Sequence, residues 1–123
     1  MTKEEISEGN KLIAEFMGFG AIGKDIYVIF IPSASPETKF VEPKDMRFEC
    51  SWDWLMPVVS KCLSILDTLL RKNIKDNYSD EDWKYMSEIA GFKEKFKWSF
   101  ERPIIENCFK LVVEFIEWYK QKN

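Results

Sequence analysis

The chain has 123 residues, of which 46% are hydrophobic and 15% aromatic, and its formal net charge is −3. This size and apolar content predict a single folded domain over 1–123 and argue against wholesale disorder. A negative charge argues against broad phosphate binding, which needs clustered positive charge. The absence of histidine excludes Ser-His-Asp and Cys-His catalysis, and we predict no enzymatic activity, no cofactor and no metal.

The three cysteines, Cys50, Cys62 and Cys108, are far apart in the sequence and form no CxxC motif. An odd number of cysteines, together with the lack of a signal-like segment, predicts reduced thiols and a cytoplasmic location. The apolar runs are shorter than the roughly 20 residues that a membrane span needs. We therefore expect a soluble protein without a membrane partner.

The first predicted element is a helix over 3–17. Thr2 and Glu5 have the spacing of a capping box, and apolar residues recur behind them at helical spacing. The glycine-rich segment 18–23 ends this helix. Because it follows a helix and precedes a strand, the reverse of a phosphate-binding loop, it predicts a turn and not a nucleotide site.

Short strands are expected in the next part of the chain. Segment 25–32 is rich in β-branched and aromatic residues, which favours a strand. Segment 33–44 contains two prolines and predicts a loop with a short strand at 39–42. A further short strand is predicted over 46–50.

A long helix over 51–73 is predicted to be the central packing element, because it carries a broad apolar face. Ser51 is a candidate N-cap, and Pro57 falls about one turn into the helix. Asp53, between two tryptophans, is the carboxylate that an enzymatic alternative would use. Its position also fits a helix start, where a negative charge is favourable, and this is the interpretation that we favour.

An acidic run over 76–82 precedes a short helix that is predicted to begin after Ser79 and to stop at Gly91. The simplest interpretation of the run is a solvated turn that caps the helix. The alternative is a surface that recognises a basic partner. The candidate partner-binding residues in this region are Asp76, Tyr78, Asp80, Glu81 and Asp82.

Segment 92–100 alternates apolar and polar residues, a pattern that predicts a strand with one solvated face. Lys93, Lys95 and Lys97 would project from that face. They are interpreted as protecting an edge strand from pairing with another chain. Alternatively they could follow a phosphate backbone, which would make the protein a small module that binds RNA or another nucleic acid.

A final helix is predicted to begin near Pro103 and to pack antiparallel to the helix over 51–73. The predicted fold class is α+β: a small antiparallel or mixed sheet covered by two long helices, with an N-terminal and a short helix. Apolar side chains on the long helices also make a homodimer a possible state of the protein.

Three segments resemble a group of small, largely uncharacterised proteins of Bacteroidetes-type bacteria, their phages and their mobile elements. They are 10–18 (NKLIAEFMG), 51–59 (SWDWLMPVV) and 112–119 (VVEFIEWY). The resemblance brings no catalytic residues with it. The segment between Lys72 and Phe100 departs from the usual pattern of the group, so a function specific to this chain is expected there.

The resemblance implies a phage or prophage accessory protein that acts in a bacterial host cell. By analogy with other small acidic phage proteins, it implies a non-enzymatic protein that binds a host protein. Its most concrete form is an anti-CRISPR-like inhibitor of an RNA-guided defence nuclease. The partner would be a CRISPR-associated nuclease with its guide RNA, whose basic channel is covered or whose conformation is locked.

Overall fold

A computed structural model describes residues 1–23, 25–32 and 37–122 of the chain. The elements of this part are helix α1 (Lys3–Phe16), strands β1 (Ala21–Ile22), β2 (Ile26–Ile29) and β3 (Lys39–Val41), a 3-10 turn (Pro43–Asp45), and helices α2 (Trp52–Lys72), α3 (Asp80–Glu101) and α4 (Ile105–Lys122). The strands form one antiparallel sheet in the order β1-β2-β3. Helices beside a small antiparallel sheet confirm the α+β class.

Helix α1 begins and ends at the signals read from the sequence. The backbone N–H of Glu5 donates to the Thr2 hydroxyl at 3.1 Å, which satisfies one of the free N–H groups at the helix start. Beyond the last turn, Gly18 has a φ of 78°, a left-handed conformation that glycine adopts without steric cost. The chain can therefore reverse here and enter the sheet.

The segment between the 3-10 turn and α2 is not a strand, so the prediction of a strand over 46–50 is wrong. Its backbone folds into turns, in which the N–H of Ser51 donates to the carbonyl of Arg47 at 2.9 Å. Met46 and Phe48 are 1% and 0% exposed. Their burial accounts for the apolar pattern, but the tight turns leave no extended backbone for a neighbouring strand to pair with.

The buried residues of the described part form one cluster, to which all four helices and the sheet contribute. Helices α2, α3 and α4 contact one another, and α1 packs on α4. Leu55, Val58 and Leu66 of α2 are completely buried, which agrees with the central role predicted for this helix. None of the helices in the described ranges is long and apolar enough to cross a membrane.

Two predictions about the segment after Ser79 are wrong, namely the end of the helix at Gly91 and the strand over 92–100. The chain neither stops at Gly91 nor becomes a strand over 92–100, because α3 continues to Glu101. Phe92 and Phe96 are buried, and their rings lie 5.4 and 6.2 Å from that of Phe115 on α4. Trp98, which a strand would have placed on the same face as these rings, is 62% exposed. The apolar residues that need burial are therefore one helical turn apart.

Candidate interaction surface

The connection between α2 and α3 is closed at both ends by side-chain hydrogen bonds. At the end of α2, the side-chain amide of Asn73 donates to the carbonyl of Leu69 at 2.7 Å. At the start of α3, the N–H of Asp82 donates to the Ser79 hydroxyl at 3.1 Å, and the N–H of Ser79 donates to the Asp82 carboxylate at 3.0 Å. This capping box fixes the direction in which α3 leaves the turn.

Asp82 has a structural role in this turn. Besides the capping box, its carboxylate accepts a hydrogen bond from Lys75 Nζ at 2.9 Å. The Lys75 hydrogen bond, followed by those from Ser79, lowers the pKa of Asp82 to about 2. The carboxylate is thus engaged within the chain, which leaves it less suited to contact a partner than its neighbours in the acidic run.

Tyr78 also supports the turn from within. Its hydroxyl accepts a hydrogen bond from the backbone N–H of Lys75 at 2.9 Å, and its ring lies 4.8 Å from the ring of Trp83. The Tyr78 side chain is half-buried, whereas Trp83 is 59% exposed. The aromatic ring that this pair offers to solvent is therefore mainly that of Trp83.

The turn presents one large apolar side chain and several carboxylates to solvent. Ile74 is 71% exposed, the highest value among the large apolar side chains of the described residues. Asp76, Asp80 and Glu81 are exposed as well. We call Ile74, Asp76, Asp80 and Glu81 together the acidic turn. Sequence reasoning missed Ile74, although a lone apolar residue between Asn73 and Lys75 could have signalled it.

The three lysines proposed for nucleic-acid binding do not form a row. On the helical backbone, Lys95 projects away from Lys93 and Lys97. Lys93 donates to Asp67 at 2.8 Å and Lys95 to Glu114 at 3.0 Å, so these two lysines pair with carboxylates of α2 and α4. Lys97 is exposed. The nucleic-acid alternative assumed a strand with one solvated face over 92–100. Because these residues are helical, that face is absent from the described structure.

The carboxylate of the enzymatic alternative, Asp53, lies at the start of a helix. Asp53 is exposed in the first turn of α2, as expected for a residue at a helix start. Among the residues that the structure describes, no three His, Cys, Asp or Glu side chains are grouped so that they could hold a metal ion. Within the described residues, the α2–α3 connection and the first turn of α3 bring together five of the predicted site residues, namely Asp76, Tyr78, Asp80, Glu81 and Asp82.

No protein-family model, curated protein or solved structure matches this chain. The fold and the acidic turn define a helix-rich α+β protein with exposed apolar and acidic groups on the hydrogen-bonded connection between α2 and α3.

Proposed function

We propose that the protein acts by binding a basic partner protein through the acidic turn. The observation that carries this proposal is that Ile74, Asp76, Asp80 and Glu81 are all exposed in the connection from α2 into the first turn of α3. Apolar anchors contribute most of the affinity of an interface when they are buried in the partner. Exposed carboxylates near the anchor favour an oppositely charged partner and speed the encounter.

The turn is suited to binding because it is held in place before a partner arrives. The capping box, the Lys75–Asp82 ion pair and the Tyr78 hydrogen bond all lie within it. A surface that is already ordered loses less conformational entropy on association. The residues that are hydrogen-bonded within the turn thus hold its shape, and the exposed residues are left to contact the partner.

In the form that the resemblance suggests, the protein is a non-enzymatic phage or prophage accessory protein in the cytoplasm of a bacterial host. Its partner is a host RNA-guided defence nuclease, and the protein inhibits it in the manner of an anti-CRISPR protein. The acidic turn would lie against the basic channel that holds guide RNA or target DNA. The net charge of −3 supports attraction to such a channel.

The experiment is a pull-down with the tagged protein from bacteria that carry an RNA-guided defence system, with and without nuclease treatment. We expect a basic host protein that stays bound after the treatment, and we expect added salt to slow its association. A partner that is lost with the nucleic acid would favour the nucleic-acid alternative. An empty pull-down would contradict the proposal.

Two pairs of variants locate the surface. We expect Ile74→Ala and Asp76→Lys each to weaken binding at least about tenfold, the loss typical of a contact at the centre of an interface. The matched controls are Phe40→Ala, which truncates a side chain that is 68% exposed on the sheet, and Glu8→Lys on α1. If the controls weaken binding as much as the test variants, the acidic turn is not the interface.

A further inference from the structure

The outward face of α3 carries a row of residues that are not part of the proposed acidic turn. At about 100° per residue, these residues fall within roughly a third of the helix circumference. We call this row the outer stripe, and it consists of Trp83, Ser87, Ala90, Gly91, Glu94 and Trp98. Trp83 and Trp98 are 59% and 62% exposed. Two tryptophans this exposed on one helix face are unusual in a surface that only meets water.

Gly91, in the middle of the stripe, has no role that packing within the described chain explains. Its φ is not positive, and a Cβ added to it would meet nothing within 4 Å. A glycine within a helix costs about 0.5–1 kcal/mol relative to alanine. By contrast, a Cβ at Gly9 would lie 2.6 Å from Phe109 Cζ. What Gly91 allows is the close approach of a backbone from outside the chain.

The two exposed tryptophans of α3 are placed symmetrically about the midpoint between Ala90 and Gly91. Trp83 precedes Ala90 by seven residues, and Trp98 follows Gly91 by seven. Lys84 and Lys97 are placed symmetrically in the same way. A twofold axis brings residue i against residue j and residue j against residue i. This symmetry suits a second copy of the same helix better than an unrelated one.

We propose that the outer stripe binds a second copy of this chain, with the two α3 helices antiparallel and crossing at Ala90 and Gly91. Trp83 of each copy then lies beside Trp98 of the other. The small residues at the crossing let the two backbones approach closely, so that the tryptophan side chains can bury their exposed surface.

The charges along α3 limit the strength of this arrangement. In the antiparallel pair, Lys97 of one copy lies opposite Lys84 of the other, at two symmetric places. Like charges that face each other across an interface are destabilising. Glu94 lies on the stripe three positions before Lys97, on the same helix face, and can reach Lys84 of the other copy. The carboxylate thus offsets part of the repulsion between the lysines.

The surface area that the outer stripe alone can bury is small, and a neighbouring groove can add to it. A helix of 22 residues is about 33 Å long and about 10–12 Å wide, a strip on the order of 400 Å² per copy. An open apolar groove of about 460 Å³ between α2 and α3 shares Ala90 and Glu94 with the stripe and is also lined by Leu63, Leu70 and Phe100. Since specific interfaces begin near about 1,000 Å² in total, we expect a weak, concentration-dependent dimer.

The first test is sedimentation equilibrium of the untagged protein from micromolar to sub-millimolar concentration. We expect a monomer–dimer equilibrium whose dissociation constant rises at least about tenfold in Trp98→Ala. Gly91→Gln should abolish the dimer while leaving the thermal midpoint of the monomer unchanged or higher, because glutamine favours a helix. Phe40→Ala serves as the control and should leave the equilibrium unchanged.

The second test fixes the orientation. In a Cys50→Ser background, Ala90→Cys lies near the twofold axis and should form a disulfide between copies under mild oxidation. Glu101→Cys should not, because position 101 meets position 80 of the other copy. A protein that stays monomeric, a dimer insensitive to both Trp98→Ala and Gly91→Gln, or cross-linking at position 101 instead of 90 would overturn the proposal. Ile74 and Asp76 precede α3, so their variants test the proposed function separately.

Discussion

Asp82 shows how one carboxylate can look like a binding residue in the sequence and be a structural residue in the fold. The sequence of the acidic run does not distinguish a capping carboxylate from one that could recognise a partner. The structure separates them, because Asp82 accepts hydrogen bonds from Lys75 and from the backbone of Ser79, whereas Asp76 and Asp80 remain exposed. The set of carboxylates that remain without a structural role in this turn is therefore smaller than the acidic run of the sequence.

The depressed pKa of Asp82 leads to a prediction about pH. Since this pKa is lowered from 3.8 to about 2, the folded state favours the ionised carboxylate. Its contribution to stability is fully present above about pH 4 and is lost as the pH falls towards about 2. Asp82→Asn should therefore unfold at lower urea concentration than the wild type at neutral pH, and this difference should shrink across the window from pH 4 to 2.

The measurement is urea denaturation of both proteins at a series of pH values. Glu81→Gln, in the same helix turn but outside the capping box, is the control and should show a much smaller difference. A difference between Asp82→Asn and wild type that stays constant from neutral pH to pH 2 would show that the Asp82 charge does not stabilise the turn.

Asn10 is a residue whose role could not be read from the sequence. It is completely buried on α1, and its side-chain amide donates to the carbonyls of Pro43 and Met46 at 2.9 and 3.3 Å. These carbonyls belong to a segment more than 30 positions away, so no local pattern signals the contact. Buried backbone carbonyls need a donor, and Asn10 supplies it.

At the scale of the element, α3 shows why periodicity alone failed. Phe92 and Phe96 fit both a period of two and a helical turn of about four residues, so the short apolar run was ambiguous. Gly91 suggested a stop, but no left-handed conformation occurs there. The rings of α4, above all that of Phe115, decide in favour of the helix.

Two glycines in helices give a matched prediction at this scale. Gly9→Ala on α1 should lower the free energy of unfolding by about 1–3 kcal/mol, because the new methyl group would overlap the buried Phe109 ring on α4. Gly91→Ala should raise it by about 0.5–1 kcal/mol in the monomer, because the methyl group meets open space. Urea denaturation at low protein concentration measures both, and equal signs for the two variants would contradict this account of helix packing.

At the scale of the whole molecule, the core is built mainly where the helices meet. Phe16 on α1 and Phe92 and Phe96 on α3 all approach Phe115 of α4. The sheet contributes Tyr27 and Ile29 to the same cluster, while Phe40 on β3 remains exposed. Helix α4 thus joins parts of the chain that are distant in sequence.

The reactivity of the three cysteines tests whether this core is closed to solvent. Cys62 and Cys108 are completely buried, and burial together with the nearby Cys108 raises the pKa of Cys62 to about 12. Cys50 is exposed. We expect a thiol reagent at neutral pH to modify Cys50 promptly and the other two only at the rate at which the protein unfolds. Mass spectrometry over time measures this. Prompt modification of all three thiols in the folded protein would show that the helices do not close over them.

Features that depend only on neighbours within a few residues could be predicted from the sequence. The N-caps at Thr2 and Ser79, the apolar face of α2 and the α+β class all follow from local spacing and composition. The tertiary structure decided what depends on distant residues: the helical state of 92–100, the pairing of Lys93 and Lys95, and the exposure of Ile74. Burial and ion pairing depend on the element that packs against a residue. That element is usually distant in the sequence, so local patterns do not identify it.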